Sequence, residues 1–112
     1  MNVYDTANKL ATEIKECEEY KEFKKIKEEV NKNPDLKNKI EEFEQARYKI
    51  QMDMMQKGKM DEEEYKNVEN MYGELFEKEE VQKFFQAETK FNVMLADVNK
   101  IIGEAIREII KW

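Results

Sequence analysis

Apolar residues recur every three or four positions over most of the chain, and this period constrains the fold more than any other sequence feature. The first stripe of this kind contains Val3, Ala7, Leu10, Ile14 and Cys17. Residues at these spacings share one face of an α-helix, because the helix has about 3.6 residues per turn. Only three glycines and one proline occur in 112 residues. The sequence therefore predicts an all-α fold of four to five helices, in a single domain spanning residues 1–112.

Local start and stop signals divide this pattern into helices. A first helix is predicted over residues 3–17 and a second follows it, with a bend at Cys17 left open. The second helix ends before Pro34, because the residue before a proline avoids helical angles. Asn33 is the expected N-cap of a third helix that carries Pro34 in its first turn, and Gly58 is expected to end that helix.

The clearest local signal follows Gly58. Asp61 and Glu64 have the spacing of a capping box, and Met60 and Tyr65 are placed as its hydrophobic staple, so a fourth helix is predicted to begin there. The connection between the third and fourth helices is short. We therefore expect them to form a central antiparallel hairpin.

A long C-terminal helix is predicted from Val81 almost to Trp112, after a bend expected within the acidic stretch 77–80. Its apolar residues form two adjacent rows and cover more than half of its circumference. Such a helix is either central in a bundle or shared between subunits. We therefore predict a homodimer or higher oligomer, a helical bundle with coiled-coil packing. The predicted interface residues are Phe84, Phe85, Phe91, Met94, Leu95, Val98, Ile101, Ile102, Ile106 and Ile109.

The charge balance excludes several classes of partner. The formal net charge is −6 and the pI is about 4.9. Nucleic-acid binding depends on basic surfaces that displace counterions from phosphates, so we expect no direct nucleic-acid contact. An anionic membrane would also repel the chain. No stretch has the length and apolar character of a membrane span or a signal region, and a cytoplasmic location is expected.

The residue types needed for most catalysis are missing. The chain has no histidine and one cysteine, Cys17, which removes the usual general base, the Cys-His pair and common metal sites. The acidic clusters 62–64 and 77–80 lack the spacing of a calcium loop, and helix starts favour acids because the helix dipole is positive there. We predict a non-enzymatic protein without a metal or cofactor, in which Cys17 is a small buried hydrophobe.

Two charged residues fall on apolar stripes, Arg47 between Phe43 and Ile50, and Glu88 between the rings of the last helix. One hypothesis is that they form a buried bidentate ion pair that fixes helix register. The alternative is that each lies at the edge of its stripe and extends to water. The sequence does not favour either.

Several flexible and aromatic residues cluster near the predicted hairpin turn. Methionine adapts to irregular partners but also fills irregular gaps in cores. The sequence favours gap filling, with a partner-binding surface as the alternative. The residues are Tyr48, Met52, Met55, Met60 and Tyr65, here called the hairpin-tip patch.

The order of short motifs resembles a known family. The motifs are Val3-Tyr4-Asp5, Cys17-Glu18-Glu19-Tyr20, Asn33-Pro34-Asp35-Leu36, Phe43-Glu44-Gln45, Gly58 before a capped helix, Gln86-Ala87-Glu88 and Asn99-Lys100-Ile101-Ile102. In this order they are similar to the YlbF/YmcA family of bacterial helical proteins, and most similar to its YheA-like branch. The resemblance spans nearly the whole chain.

The resemblance implies an oligomeric cytosolic protein whose relatives are regulatory adaptors in competence, sporulation, biofilm formation and the modulation of ribonuclease Y. It brings no catalytic motif. Some relatives hold iron-sulfur clusters through C-terminal cysteines, but the run 99–112 contains none. The leading hypothesis is an oligomerising interaction module that binds itself and another regulatory protein. The alternatives are a chaperone-like or purely structural helical protein and, more weakly, a metal-dependent enzyme using clustered carboxylates.

Overall fold

The computed structural model describes residues 2–111, and within them it contains five helices and no strand. The predicted all-α class is therefore confirmed. Trp112, the last predicted residue of the C-terminal stripe, lies outside the described residues. No helix within residues 2–111 combines the length and apolar character that crossing a membrane requires. The helices are α1 (Val3–Glu16), α2 (Glu18–Asn31), α3 (Pro34–Lys57), α4 (Glu62–Phe76) and α5 (Glu79–Ile110).

Side-chain caps define the helix starts as predicted. Asn33 accepts a hydrogen bond from the Leu36 N–H at 3.3 Å, and Pro34 occupies the first turn of α3. Gly58 ends α3 with a φ of +70°, a left-handed conformation in which a side chain would be strained. Asp61 caps α4 by accepting hydrogen bonds from two backbone N–H groups, at 2.8 and 3.3 Å. The predicted N-caps at Asn33 and Asp61 and the predicted helix end at Gly58 are confirmed.

The capping box at Asp61 forms only in part. The Glu64 carboxylate was predicted to turn back to the Asp61 N–H, but it accepts a hydrogen bond from the Lys49 ammonium on α3. The reciprocal half of the prediction is therefore wrong. The same side chain joins the two helices of the hairpin.

The chain breaks its helices at Cys17 and near Lys78. Cys17 is extended, with φ −73° and ψ 156°, and its N–H donates to the Ile14 carbonyl at 3.2 Å. After α4, the Gln82 side chain donates to the Phe76 carbonyl at 2.7 Å, which satisfies an acceptor freed by the helix end. The bend left open at Cys17 is present, and the bend expected within 77–80 is confirmed.

The chain divides into two compact units. The second unit, Lys27–Lys83, contains the predicted antiparallel hairpin of α3 and α4. Phe43 packs on Tyr72 with ring centroids 5.7 Å apart, and Lys49 pairs with Glu64, so residue numbers rise on one helix as they fall on the other. Seven side chains are buried in this unit: Val30, Leu36, Ile40, Phe43, Ile50, Leu75 and Val81.

The first unit joins the N-terminal part of the chain, up to Ile26, with α5 from Phe84 onward. Its aromatic rings pack together. Tyr20 meets Phe91 at 6.1 Å between centroids, and Phe23 meets Phe84 at 5.5 Å and Phe91 at 5.7 Å. Helix α1 has no buried residue, although its Leu10 and Ile14 are half-buried, as is Cys17 at its C-cap.

Candidate functional site

The last turns of α5 leave an apolar surface in water. Every residue from Asn99 to Lys111 is exposed, and Ile101 and Ile109 keep 69% and 83% of their accessible surface. We call residues 99–110 of α5 the C-terminal arm. Its large apolar residues are Ile101, Ile102, Ile106, Ile109 and Ile110. A contiguous exposed surface of this kind marks an interaction site or an aggregation hazard.

The upstream residues of the predicted interface behave differently. Phe84 and Phe85 are buried within the single chain, so a second copy does not need to cover them. The two rings lie 5.6 Å apart in the intrachain core, and their place in the oligomer interface stays a prediction. The half-buried members are Phe91, Met94, Leu95 and Val98. The part of the predicted interface that is accessible in the single chain thus begins at Phe91.

A shallow groove runs beside the half-buried part of α5. Its volume is ≈ 540 Å³, within the roughly 300–1,000 Å³ that ligand clefts span. Val93, Met94 and Ile101 are among the apolar lining, while Glu19 and Lys90 contribute charge. Val93 is 56% exposed and lies outside the stripes read from the sequence. Sequence reasoning missed it because the residues three and four positions away are Thr89, Lys90, Ala96 and Asp97, so Val93 continues no apolar stripe.

Arg47 and Glu88 lie in different units. The Arg47 guanidinium is 5.4 Å from the centroid of the Phe43 ring, a cation–π contact within its own helix. Arg47 is exposed and Glu88 is half-buried. The ion pair between them stays a prediction.

The hairpin-tip patch is largely accessible. Tyr48 and Met55 are 62% and 80% exposed, and Met52 is half-buried. Met60 and Tyr65 line one shallow depression of ≈ 380 Å³ together with Lys66 and three glutamates. Gap filling, which the sequence favoured for this group, does not describe Met55. An exposed Met on a rigid hairpin can adapt to a partner.

Two charge contacts perturb side chains at the hairpin. The Glu64 carboxylate hydrogen-bonds the Lys49 ammonium and raises the pKa of Lys49 above its ordinary 10.5. The Glu69 carboxylate accepts a hydrogen bond from the Tyr65 hydroxyl and raises the pKa of Tyr65 above 10.0. In both cases the protonated form is favoured. The Lys49 ammonium donates a stronger, charge-assisted hydrogen bond than the neutral amine would, and the Tyr65 hydroxyl loses its donor when it ionises.

Charged groups are otherwise dispersed over the surface. In the part of the chain that the structure describes, no three Cys, Asp or Glu side chains stand close enough to share a metal ion. Cys17, expected to be a small buried hydrophobe, is half-buried with a free thiol. The described residues thus leave two accessible apolar surfaces, the C-terminal arm and the hairpin-tip patch.

Comparisons with known proteins agree on one family. A family profile described as "Control of competence regulator ComK, YlbF/YmcA" matches residues 3–107. A UPF0342 protein of Clostridium novyi (strain NT) is 37% identical over 107 residues, covering 95% of this chain and 93% of the relative.

Two further UPF0342 relatives match at similar length. One from Symbiobacterium thermophilum is 31% identical and covers 93% of each chain. Another, from Alkalihalophilus pseudofirmus, is 32% identical and covers 96% of this chain and 92% of its own. The shared name of these relatives is consistent with the YheA-like branch inferred from the motifs. The profile match and the relatives together establish that this chain belongs to the YlbF/YmcA family.

Proposed function

We propose that this chain is a non-enzymatic, cytoplasmic interaction module that self-associates through α5 and presents its hairpin to a regulatory protein. One observation carries the proposal. The C-terminal arm is apolar over about half its circumference, by its 3.6-residue period, and yet every residue in it is exposed in a single chain.

An arm of this kind needs a partner. Isolated helical segments shorter than about 12–15 residues are marginal in water, because packing of an apolar face supplies most of their stability. The arm has no buried residue of its own among those described. A second copy brings an identical apolar surface, and burial contributes about 25 cal/mol for each Å² removed from water.

The hairpin-tip patch supplies the second contact. Tyr48, Met55 and Tyr65 are accessible on a hairpin whose two helices are held together by a buried core and by the Lys49–Glu64 ion pair. Tyrosine and methionine are enriched in protein interfaces. The matching family description names control of the competence regulator ComK, which supports an adaptor-like role in bacterial developmental regulation. A role in RNA-turnover regulation enters the proposal through the family resemblance alone.

A chaperone-like or purely structural role is the second candidate. The observation that favours it is the 80% exposure of Met55, since flexible apolar side chains accept many helical clients. The two candidates differ in selectivity. An adaptor binds one partner in fixed stoichiometry, whereas a chaperone captures unfolded chains indiscriminately.

Light scattering and a pull-down test the proposal with a matched pair of variants. Ile109→Asn should convert the oligomer to a monomer and leave the hairpin surface intact. Met55→Asn should remain oligomeric but lose the partner that the wild-type chain captures reproducibly. A wild-type chain that stays monomeric at high concentration would contradict self-association. Capture of unfolded model substrates by the wild-type chain and by Ile109→Asn, but not by Met55→Asn, would favour the chaperone role.

A further inference from the structure

The second half of α5 carries three neighbouring stripes along its axis. The first, the apolar stripe, has heptad spacing, and the second, the central stripe, combines small residues with isoleucine. The third, the charged stripe, alternates acid and base. Their members are Leu95, Ile102 and Ile109 (apolar); Ala96, Asn99, Gly103, Ile106 and Ile110 (central); and Asp97, Lys100, Glu104 and Arg107 (charged).

Helix geometry places the central stripe between the other two. Successive residues are separated by about 100° around the axis, since there are about 3.6 per turn. Counted from Gly103, Ile102 therefore lies about 100° to one side and Glu104 about 100° to the other. A helix that packs on the central stripe thus meets apolar side chains along one edge and charged side chains along the opposite edge.

The positions in the two outer stripes are symmetric about Ile102. Leu95 and Ile109 lie equally far before and after it in the sequence, as do the outer charges Asp97 and Arg107. The inner charges, Lys100 and Glu104, are also equidistant from Ile102. Each acid therefore has a base at the mirrored position, and the signs reverse on going from one side of Ile102 to the other.

This symmetry distinguishes the two ways of pairing identical helices. When a two-fold axis relates antiparallel helices, each edge of one helix meets the same edge of the other. The charged stripes then face each other, with Asp97 beside Arg107 of the second copy and Lys100 beside Glu104. A parallel two-fold pair would instead place each charged stripe against the partner's apolar stripe, at the cost of desolvating unpaired charges.

The single chain leaves these groups available. All four members of the charged stripe are exposed, and none of their side chains has an ion-pair or hydrogen-bond partner within residues 2–111. A Cβ added at Gly103 would have no atom within 4 Å in the single chain. Glycine in a helix interior costs about 0.5–1 kcal/mol relative to alanine, and close approach of a second backbone is one use that offsets this cost.

From this arrangement we propose that two copies of the chain pair their α5 helices antiparallel, with the two-fold axis at Ile102. This inference rests on the self-association proposed above and adds its geometry. In the resulting dimer, the central stripes lie in contact. The apolar stripes cover one edge, and four complementary charge pairs close the other.

Single-cysteine crosslinking tests the geometry in a Cys17→Ser background, using a short bifunctional thiol reagent on the full-length chain. Ile102→Cys should crosslink to itself, because the axis brings the two copies of this residue to the same height. Ile109→Cys and Leu95→Cys should not crosslink to themselves, since their copies lie about 21 Å apart along the axis. A mixture of these two variants should crosslink.

The outcomes separate the geometry from self-association. Equal self-crosslinking at all three positions, with light scattering that shows a dimer, would overturn the antiparallel arrangement and leave self-association standing. A monomer by light scattering would overturn both. Crosslinking at Ile102 alone, together with the mixed pair, would support both.

Charge exchange gives a second readout that does not depend on cysteine. Lys100→Glu places like charges opposite Glu104 twice in each dimer and should weaken dimerisation about tenfold. Adding Glu104→Lys should restore the wild-type affinity. Lys90→Glu, upstream of the charged stripe, is the matched control and should leave the affinity unchanged. An equal loss in the single and double variants would contradict the pairing.

Discussion

The α3–α4 hairpin and the C-terminal arm are built from the same helical period, but they treat their apolar residues in opposite ways. The hairpin buries Leu36, Ile40 and Phe43 within the chain, and each keeps 3% of its surface or less. The arm leaves Ile101 and Ile109 mostly exposed. A periodic stripe therefore specifies a helix with an apolar face. The surface that covers this face comes from elsewhere in the chain or from another molecule.

Phe43, in the core of the hairpin, is where a substitution should destabilise the chain most. Phe43→Ala removes a buried ring that packs on Tyr72, and should lower the free energy of unfolding by about 3–5 kcal/mol. Ile109→Ala should change the unfolding free energy of the dilute monomer very little, because its side chain already contacts water. Urea denaturation followed by circular dichroism at low concentration measures both. Equal losses would contradict the contrast between hairpin and arm.

Removing the N-cap of α4 should show how much the turn of the hairpin contributes to its stability, compared with its core. Asp61→Ala removes the acceptor for two backbone N–H groups at the start of α4, and should cost about 1 kcal/mol. Asn2→Ala removes the comparable cap of α1, which has no buried residue. We expect that variant to fray α1 locally. Hydrogen exchange should show faster exchange at Tyr4 with little change in global stability.

The helix ends were predictable because they depend on residues close in sequence. Asn33, Gly58 and Asp61 each act through their own backbone neighbours, and the structure places all three as expected. The break at Cys17 was left open because glutamates surround it and the apolar stripe runs up to it. Local residue types there are compatible with a continuous helix.

Contacts between distant residues were less accessible to sequence reasoning. Glu64 has the spacing of a capping box, but its carboxylate accepts a hydrogen bond from Lys49, fifteen residues earlier in the chain. Phe85 has the spacing of an interface residue and is nonetheless buried in the chain. Spacing identifies which residues share a face but does not identify what lies opposite that face.

The hairpin and the arm each contain one helical glycine. Neither Gly73 on α4 nor Gly103 on the arm would place an added Cβ within 4 Å of another atom in the single chain. Gly73→Ala should therefore stabilise the chain by about 0.5–1 kcal/mol, because alanine loses less backbone entropy on folding. Gly103→Ala should do the same for the dilute monomer but weaken the dimer. Thermal melts at several concentrations separate the two effects, and parallel behaviour of both variants would count against close approach at Gly103.

The ion pair between Lys49 and Glu64, which joins the hairpin helices, should contribute least to the stability of the chain. Because Glu64 raises the pKa of Lys49 above 10.5, the folded chain holds this proton more tightly than the unfolded chain. The contribution to stability is therefore fully present below pH 10.5 and is lost as the pH rises through the raised folded-state pKa.

Lys49→Gln should accordingly lower stability slightly at pH 7, by an amount that 1 M salt reduces, since the pair is exposed to solvent. The difference between the two chains should vanish above the folded-state pKa of Lys49. Tyr65, whose pKa is also raised, titrates in both chains and cancels from the difference. A difference that persists at high pH would show that Lys49 acts through the packing of its hydrocarbon chain on the hairpin and not through its charge.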